Sequence, residues 1–354
     1  MLKFVHLTTH EVYMRRCLEL AALGTGFVAP NPMVGAVLVH NDLIIGEGYH
    51  MKYGEAHAEV NCINSIPGHK KHLIKESTLY VSLEPCNHSG KTPPCSDLII
   101  KEQIPKVIIA CKDPFEKVNG SGIEKLKTNG IEIITGLLEK EATWLNRRFF
   151  SFHKKQRPYI ILKWAQSNNL KIAGEHFRPV KISNEITDRL VHKWRSEEAA
   201  IMVGTNTALS DDPSLTTRLW HGHDAVRVVV DSELKLPASL NLFNNLVPTI
   251  IINRIKQEEA GNNFFYKYAE HEDVPAATIN VLRQHNINSL IIEGGARLLQ
   301  SFINIGLWDE ARVITNKELN INDGMDAPVL ENAIPINKEM IRSDEISYYK
   351  RNEI

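Results

Sequence analysis

Four residues in the first third of the chain have the types and spacing of a catalytic zinc site. His57 and Glu59 are two positions apart, and Cys86 and Cys95 follow with eight residues between them. A catalytic zinc ion takes three protein ligands and leaves a fourth position open. His57, Cys86 and Cys95 would supply one imidazole and two thiolates. Glu59 need not be a ligand, and it is placed to move protons between the reacting water and a leaving group.

A structural zinc site is the alternative interpretation of this cluster. Such a site normally has four protein ligands, and His88 is the best candidate for the fourth. A purely structural site would give no role to Glu59 or Lys91. A histidine and a glutamate in this spacing, followed by proline-cysteine and a second cysteine, are typical of zinc deaminases, in which the glutamate is the general acid and base. The pattern therefore favours a hydrolytic deaminase.

The loop between the two cysteines is longer than the two-residue spacing of nucleobase deaminases. Because both ends of this loop would be tied to the metal, we expect its residues to lie beside the site. The loop contains His88 and Lys91. Lys91 could contact a phosphate or a ring carbonyl of a substrate, and a solvated loop lysine is the alternative.

Length, charge and cysteine content narrow the class of protein. The chain has 354 residues, which favours two domains, and its net charge of −1 lowers the expectation of a nucleic-acid substrate. Its five cysteines are sparse and odd in number, so we expect a reducing, cytoplasmic location rather than a disulfide framework. We expect neither a signal peptide nor a membrane span, because the apolar runs are too short.

Alternating strand and helix patterns in the first half predict a sheet covered by helices. Thr8 and Glu11 have capping-box spacing and predict a helix over 8–23. The further predicted elements are strands 33–39 and 43–47, helix 57–65, strand 78–83, helix 95–102, strand 107–111, helix 123–128 and strand 131–135.

The segment 149–157, FFSFHKKQR, is predicted to join two domains that span residues 1–148 and 157–354. After this segment the alternation of strands and helices starts again, and the polar stretch 261–275 is expected to be a surface excursion. The predicted elements are strand 159–164, helix 187–194, strands 200–204, 226–231, 249–253 and 289–292, and helix 296–305.

Small residues after two of these strands suit a bound cofactor. Gly294 and Gly295 lie between a strand and a helix, where backbone N–H groups can approach a pyrophosphate. The pair is a weak indicator by itself, and the sequence has no GxGxxG fingerprint of a Rossmann domain. Arg218 ends the run VGTNTALSDDPSLTTR at 203–218 and could bind a phosphate with two hydrogen bonds. An exposed loop arginine is the alternative for this residue.

Ten short runs together resemble the bifunctional deaminase-reductase family of riboflavin biosynthesis. The long loop between the cysteines separates this family from the cytidine and tRNA adenosine deaminases. The matching runs are NPMVG at 31–35, GYH at 48–50, HAE at 57–59, EPCNHSGKTPPC at 84–95, DP at 113–114, LKWAQS at 162–167, VHKWR at 191–195, VGTNTALSDDPSLTTR at 203–218, VVVDS at 228–232 and EGGARLLQSF at 293–302.

This resemblance implies a cytidine-deaminase-like α/β/α domain followed by a dihydrofolate-reductase-like α/β domain. It implies zinc in the first domain and NADPH in the second. The implied reactions are hydrolytic deamination of diaminohydroxyphosphoribosylaminopyrimidine and then reduction of the ribose side chain to ribityl. The implied partner is this small-molecule substrate, with no nucleic acid or membrane, and the implied assembly is a homo-oligomer.

The resemblance also assigns site residues by position in the matching runs. Asn31, His50, Lys91 and Asp113 are implied to bind the substrate of the deaminase. In the reductase, those implied to face the substrate are Lys163, Arg195, Leu215, Arg218 and Glu293, and those implied to touch NADPH are Thr207, Asp211, Ser232 and Gly295. The candidates for the general acid of the reductase are Lys163, Asp211 and Glu293.

Four positions depart from the family pattern. Phe115 stands where asparagine is usual, Lys181 replaces a tryptophan, and Asn169 and Leu170 replace an Asp-Gly pair. Loss of that glycine removes a position that tolerates positive φ. These departures support a second interpretation, a deaminase whose C-terminal reductase-like domain has reduced or lost activity. A nucleic-acid-editing deaminase ranks last, because it would show a short cysteine spacing and a basic, aromatic-rich face.

Overall fold

A computed structural model describes residues 8–88, 93–116, 118–260, 263–268 and 273–352. The chain divides into two compact units, Met1–Gln156 and Arg157–Ile354. Among the helices of these described residues, none has both the length and the apolar character needed to cross a membrane.

The described residues of the first unit form one five-stranded sheet and six α-helices. The strand order is β2-β1-β3-β4-β5, in which β1 is antiparallel to both neighbours and β3, β4 and β5 are parallel. The elements in chain order are α1 (Thr9–Ala22), β1 (Gly35–His40), β2 (Leu43–Tyr49), α2 (Ala58–Asn64), a 3-10 helix (Gly68–Glu76), β3 (Thr78–Val81), α3 (Cys95–Lys101), β4 (Lys106–Ile109), α4 (Ser121–Thr128), β5 (Glu132–Thr135), α5 (Glu139–Leu145) and α6 (Arg147–Lys154).

Both faces of this sheet are covered by helices. Leu79 and Val81 of β3 pack in a core with α2, α3 and α4, whereas Tyr80 packs in a second core with α1, α5 and α6. The alternation follows from the two-residue period of a strand, which sends successive side chains to opposite faces. The predicted capping box of α1 is present, with Thr8 N–H donating to the Glu11 carboxylate at 2.7 Å. This unit has the α/β/α architecture that was predicted.

The segment predicted to join the two domains is mostly helical. Phe149 and Phe150 lie in α6 and are buried in the core that contains α1 and α5. Removing two adjacent aromatic side chains from water stabilises this helix on the first unit. The prediction of a linker is therefore wrong for residues 149–154, and the second unit begins at Arg157.

In the second unit, the part of the chain that the structure describes forms a ten-stranded sheet and a two-stranded ribbon. The strand order is β11-β12-β10-β9-β8-β13-β6-β14-β17-β16, with β15 and β7 paired separately. The elements are β6 (Tyr159–Ser167), β7 (Lys171–Gly174), a 3-10 helix (Glu175–Phe177), α7 (Glu185–Glu197), β8 (Ala200–Val203), α8 (Thr205–Asp211), β9 (Val226–Val230), a 3-10 helix (Asn241–Phe243), β10 (Thr249–Asn253), β11 (Glu258–Ala260), β12 (Phe264–Tyr268), α9 (Val274–Gln284), β13 (Ser289–Ile292), α10 (Ala296–Asn304), β14 (Glu310–Asn316), β15 (Gly324–Asp326), β16 (Ala333–Ile341) and β17 (Asp344–Arg351).

In this order the seven strands from β12 through to β14 are parallel to one another. At the two ends of the sheet, β11 is antiparallel to β12, β17 is antiparallel to β14, and β16 is antiparallel to β17. Helices α7 and α8 pack on one face, and α9 and α10 pack on the other. The carboxyl ends of β8, β9 and β13 therefore lie at one edge, where the loops to α8 and α10 begin. The expectation that 261–275 is a surface excursion is wrong for β12, which pairs in parallel with β10.

Candidate functional site

Three predicted metal ligands come together in the first unit. His57 directly precedes α2, Cys95 is the first residue of α3, and Cys86 lies in the loop after β3. His57 Nδ1 lies 3.6 Å from Cys86 Sγ and 3.3 Å from Cys95 Sγ. All three ligand atoms lie within 4.8 Å of one another. The backbone N–H of Cys95 also donates to Cys86 Sγ at 3.3 Å, as expected for a thiolate at a helix start.

The donor set and its spacing fit a zinc ion. A tetrahedral ion with bonds of about 2.0–2.3 Å holds neighbouring ligand atoms about 3.3–3.8 Å apart, and the two nitrogen–sulfur distances of 3.6 and 3.3 Å lie in this range. Hydrogen bonds from Cys95 and then from His57 lower the pKa of the Cys86 thiol to about 4. A cysteine that ionises so readily is a ready metal ligand.

Glu59 lies beside this cluster in the first turn of α2. Its side chain is only 3 % exposed, and burial, followed by the charge of Cys86, raises the pKa of its carboxyl group. A carboxyl group that is buried beside the ligands and holds its proton more tightly than usual has the properties of a proton carrier.

His50 and Asn31 lie together next to the metal ligands. The His50 ring is buried and packs edge-on against the His57 ring, with 5.4 Å between ring centroids. His50 Nδ1 lies 3.1 Å from the backbone oxygen of Ala56, and His50 Nε2 lies 3.2 Å from Asn31 Nδ2. A neutral ring that donates from Nδ1 and accepts at Nε2 satisfies both contacts, and burial lowers the pKa of His50 in agreement.

Asp113 is also buried, and Glu84 connects it to the start of α4. Burial raises the pKa of Asp113 to about 7. Glu84 is 3 % exposed and accepts backbone N–H groups of Asp113 at 3.3 Å, Gly120 at 3.0 Å and Gly122 at 3.1 Å. All four described hydrogen bonds to this carboxylate come from backbone N–H groups, the fourth from Ile123 at 3.2 Å, so residue types alone do not mark Glu84 as a site residue. Its place directly before Pro85 and Cys86 was the available signal.

Phe115 takes part in an aromatic cluster instead of a polar contact. Its ring centroid lies 5.8 Å from that of His88 and 5.0 Å from that of His153, and His153 packs against Phe149 at 4.5 Å. The backbone N–H of Phe115 donates to Asp113 at 2.7 Å. The side chain that departs from the family pattern therefore packs against the loop that follows Cys86. The predicted substrate contact Lys91 lies outside the described residues.

The second unit has a cleft of about 440 Å³ at the carboxyl edge of its sheet. Lys163 of β6 and Glu293, directly after β13, both line it. Strands β13 and β6 pair in parallel with Ile292 opposite Leu162, so the next residues along both strands become neighbours. Strand pairing thus brings together two side chains that are 130 residues apart in sequence.

Lys163, Arg195 and Glu293 form a buried ion cluster. Arg195 of α7 donates from Nε and Nη2 to the two carboxylate oxygens of Glu293 at 2.9 and 2.7 Å, and Lys163 Nζ lies 3.5 Å from Glu293 Oε2. Burial opposes ionisation of Glu293, but the charges of Arg195 and Lys163 lower its pKa to about 2. Burial lowers the pKa of Lys163, and the charge of Glu293 partly offsets that effect. Glu293 is thus a fixed anion between two cations.

The loop 215–218 lies beside α7. Leu215 is buried, with a φ of 53°, and Arg218 is exposed. Arg195 Nη1 donates to the backbone oxygen of Thr216 at 3.4 Å, and the backbone N–H of Arg218 donates to His192 Nδ1 at 3.0 Å. Leu215 and Arg218 are absent from the described lining of the cleft, and this loop meets the ion cluster through Arg195.

Three of the four predicted cofactor residues line the cleft. These are Thr207 and Asp211 of α8 and Gly295, which precedes α10. A Cβ added at Gly294 would lie 2.7 Å from the Thr207 side chain, and Gly295 has a φ of 78°. This narrow, glycine-lined wall at the start of α10 fits the close approach of a dinucleotide phosphate. Ser232 instead lies at a separate small pocket beside β9 and β10, so the structure does not bring it to the cleft among the described residues.

The departures in the second unit have structural partners. Asn169 accepts from Ser167 Oγ at 2.7 Å and from the backbone N–H of Ile321 at 3.1 Å, which ties the end of β6 to a distant loop. Leu170 has a φ of 61° and is 56 % exposed. Lys181 lines the cleft and forms an ion pair with Asp188.

Each of the two units matches a known protein family. Residues 7–111 match the cytidine and deoxycytidylate deaminase zinc-binding region, and residues 158–316 match the RibD C-terminal domain. The riboflavin biosynthesis protein RibD of Aquifex aeolicus is 36 % identical over 353 residues, which cover 96 % of this chain and 98 % of the relative. RibD of Bacillus amyloliquefaciens is 39 % identical over 310 residues, which cover 85 % of this chain and 82 % of the relative.

Solved structures agree over nearly the whole chain. The diaminohydroxyphosphoribosylaminopyrimidine deaminase/5-amino-6-(5-phosphoribosylamino)uracil reductase of Thermotoga maritima has a TM-score of 0.88 at 32 % identity, covering 97 % of this chain and 99 % of that one. RibD of Acinetobacter baumannii has a TM-score of 0.89 at 29 % identity, with 97 % and 98 % covered. The folds are thus those of a cytidine-deaminase-like and a dihydrofolate-reductase-like domain. This chain belongs to the RibD family of riboflavin-biosynthesis enzymes, which join a zinc-dependent deaminase to an NADPH-dependent reductase.

Proposed function

We propose that this chain catalyses two consecutive steps on one pyrimidine substrate. The first is hydrolytic deamination of diaminohydroxyphosphoribosylaminopyrimidine, and the second is reduction of the ribose side chain of the product to ribityl. The observation that carries the proposal is the presence, in one chain, of the His57–Cys86–Cys95 cluster and the glycine-lined cleft with its buried ion cluster. The name of the Thermotoga maritima relative gives the same pair of activities.

In the deaminase, the residues of the chain divide between metal binding, proton transfer and substrate binding. His57, Cys86 and Cys95 would hold zinc, which supplies the Lewis acidity that makes water nucleophilic at neutral pH. Glu59 would carry a proton from the attacking water to the departing amine, a role that suits a buried carboxyl group with a raised pKa.

The substrate contacts of the deaminase would come from polar groups around this centre. Asn31 and His50 are already joined by a 3.2 Å hydrogen bond, so they would meet the pyrimidine ring as one unit. Asp113, whose pKa is raised to about 7, can offer either a carboxylate or a protonated oxygen to the ring. Lys91 would contact the phosphate or a ring carbonyl.

In the reductase, NADPH supplies the hydride and the chain supplies orientation and a proton. Thr207, Asp211 and Gly295, which line the cleft, would contact the cofactor. Ser232 lines the separate small pocket, so a contact from it would require the cofactor to extend beyond the described lining of the cleft. Glu293 would orient Lys163 and Arg195 toward the ribose.

Among the three candidates for the general acid of the reductase, Lys163 is the one that the electrostatics favour. Glu293 has a pKa of about 2, so it is ionised near neutrality and has no proton to donate. Asp211 is exposed at the end of α8 and accepts from Ser210 Oγ at 2.7 Å. Lys163 lines the cleft with a pKa lowered by burial, which makes its ammonium a better proton donor than a solvated lysine.

Arg218 would hold the substrate phosphate, with Arg195 and Leu215 completing that end of the site. A planar guanidinium matches the geometry of a phosphate with two parallel hydrogen bonds. Arg218 is exposed, and its Nη1 donates a hydrogen bond to Thr216 Oγ1 of the same loop at 2.9 Å. The guanidinium can therefore turn to a ligand without breaking a contact to the core.

The limits of the domains, the assembly and the location are further parts of the proposal. The deaminase would occupy residues 1–148 together with the rest of α6 and the residues up to Gln156, and the reductase residues 157–354, as a cytoplasmic homo-oligomer without nucleic-acid or membrane partners. All five cysteines are free thiols in the structure, which is compatible with a reducing compartment. The net charge of −1 gives no general attraction to polyanions.

One metal-quantified sample tests both activities. Ammonia release from the diaminopyrimidine phosphate would report the deaminase, and NADPH oxidation after that release would report the reductase. We expect both signals, with NADPH oxidation dependent on prior deamination. Ammonia release without NADPH oxidation would contradict the reductase part of the proposal. If zinc is bound and neither ammonia release nor NADPH oxidation is detected, the proposed substrate is wrong.

A further inference from the structure

His192 lies on the buried side of α7, three residues before Arg195. Its side chain is 6 % exposed, and its Nδ1 accepts the backbone N–H of Arg218 at 3.0 Å. Residues three apart on a helix share a face, and Arg195 of the same face donates to the backbone oxygen of Thr216 at 3.4 Å. Helix α7 therefore holds the loop 215–218 by its backbone at two successive points.

The His192 ring is a neutral hydrogen-bond acceptor in this position. An imidazole can accept at Nδ1 only when that nitrogen carries no proton, so the proton of the neutral ring is on Nε2. Burial and the positive charges of Arg195 and Arg218 lower the pKa of His192 to about 4. The ring thus keeps the acceptor that the Arg218 backbone requires.

Arg218 depends on its backbone for its position. Its side chain is exposed, and its guanidinium donates to Thr216 Oγ1 at 2.9 Å within the same loop. Contacts within a loop keep the shape of the loop but do not fix its place relative to the rest of the site. The burial of Leu215 and the Thr217 N–H, which donates to Asp224 at 2.6 Å, also hold the loop, but the bond to His192 is the one that the Arg218 backbone itself makes.

We propose that His192 is a positioning residue of the reductase: it holds the backbone of Arg218 so that the guanidinium is preorganised for the phosphate of the substrate. This inference rests on the proposed function, because it takes Arg218 as the phosphate contact. A preorganised binding group strengthens ground-state and transition-state binding equally, so its loss raises KM and leaves kcat nearly unchanged.

Three substitutions at His192 separate positioning from space filling. His192→Asn places an amide oxygen where Nδ1 was, so we expect a KM within about threefold of the parent. His192→Gln fills a similar volume but moves its oxygen one bond outward, and His192→Ala removes the acceptor. Both should raise KM for the deaminated substrate about tenfold, the effect of one partly buried N–H that loses its acceptor. In all three, kcat should stay within about twofold.

The same samples carry their own controls. The rate of ammonia release measures the activity of the first unit, and the Kd for NADPH shows whether the second unit is folded. Neither value should change in the His192 variants. The Asn and Gln variants keep the space filled, so their comparison decides the role even where the Ala variant loses NADPH binding. Equal KM values for the Asn and Gln variants, or a drop in kcat with KM unchanged, would overturn the proposal.

A double-mutant cycle tests whether His192 acts through Arg218. Arg218→Ala alone should raise KM by about 30-fold or more, as expected for loss of a charged phosphate contact. Adding His192→Gln to it should produce no further rise, because the group that His192 positions is already gone. If the KM increase of the double variant equalled the product of the two single increases, His192 would act independently of Arg218. A normal KM for Arg218→Ala would instead contradict the phosphate contact of the proposed function, whatever the Asn and Gln variants show.

Discussion

The two candidate sites hold buried glutamates that have opposite electrostatic surroundings. Glu59 lies beside two thiols, and burial raises the pKa of its carboxyl group. The Glu293 side chain is only 4 % exposed, and burial opposes its ionisation, but Arg195 and Lys163 lower its pKa to about 2. The same residue type therefore has the properties of a proton carrier in one unit and those of a permanent anion in the other. The neighbours of a buried carboxyl group, and not its burial, decide its role.

The sites also differ in how far their parts are separated along the chain. Cys95 and His57 are 38 residues apart, whereas Arg195 and Glu293 are 98 apart and Lys163 and Glu293 are 130 apart. A metal centre imposes residue type and local spacing, because each ligand begins a helix or follows a strand. The ion cluster is produced by strand pairing and helix packing, which no local run of sequence records.

Glu59→Gln should have the largest effect. The amide cannot carry a proton, so we expect ammonia release to fall about 10³-fold with zinc still bound, the size typical of lost general acid–base catalysis. Ammonia release, zinc content and NADPH oxidation from pre-deaminated substrate would be measured on one sample, and the last two should be unchanged.

Glu84→Gln is the matched control for this change. Glu84 is 3 % exposed, as Glu59 is, but it accepts backbone N–H groups. Its loss should lower the stability of the first unit by about 2 kcal/mol while ammonia release per folded molecule stays within about fivefold. If the two variants lost the same fraction of activity, the special role of Glu59 would be wrong.

Glu293→Gln tests the opposite role of the second glutamate. Removing this anion leaves the cations Arg195 and Lys163 buried together, and breaking a buried ion pair on one side costs about 3–5 kcal/mol. We expect a lower unfolding midpoint and a fall in NADPH oxidation of about 100-fold or more, with ammonia release within twofold. Thermal unfolding and both assays would be compared with the parent.

The control is Glu310→Gln, which breaks another buried ion pair of the same sheet. Glu310 is 5 % exposed and accepts from Arg312 Nε at 2.6 Å, and it is absent from the described lining of the cleft. The Glu310→Gln variant should be less stable than the parent but should keep the parent's rate of NADPH oxidation per folded molecule. Equal loss of rate in both variants would mean that the ion cluster serves the fold alone.

The sequence allowed the three candidate zinc ligands and most of the first sheet to be predicted because their signals are local. The capping box of Thr8 and Glu11, the alternating runs of the strands, and the spacing of His57, Cys86 and Cys95 each lie within a short window. Residue type and spacing alone determine what such a window can form.

The parts that could not be predicted depend on distant partners or lack a pattern. The bond from Glu84 to the start of α4 involves backbone N–H groups, which have no sequence signature. Strand β16 is exposed along nearly its whole length, so its residues do not alternate between apolar and polar. The ion cluster required the pairing of β6 with β13, and the small pocket beside Ser232 required the path of β9.

The cations that surround Glu293 also predict a pH effect through His192. The charged groups acting on this ring are Arg195, Arg218, Glu293 and Asp188, and after burial the two arginines are the main causes of its low pKa of about 4. In the unfolded chain the ring has its ordinary pKa of 6.5. Between these values the unfolded state binds more protons, so stability falls as the pH is lowered from about 6.5 to about 4.

His192→Asn removes this titration but keeps the acceptor. The difference in unfolding free energy between the parent and this variant should therefore change by about 1–2 kcal/mol between about pH 7 and pH 4, to the disadvantage of the parent at low pH. Urea unfolding followed by tryptophan fluorescence at several pH values measures it. Parallel curves for the two proteins would contradict a neutral, buried His192.

The smallest expected effect concerns Leu170, which departs from the family glycine at the end of β6. Its φ of 61° strains a residue with a Cβ, and its side chain is 56 % exposed and gains little from packing. Leu170→Gly should relieve the strain and, after the entropic cost of glycine, stabilise the second unit by about 0.5–1 kcal/mol, or about 2–4 °C in Tm. Leu170→Ala keeps the Cβ and should give no gain. If both variants keep the parent's rate of NADPH oxidation, this departure affects the stability of the fold and not the reaction. A faster rate in the glycine variant alone would show that the strained turn lowers the activity of the reductase.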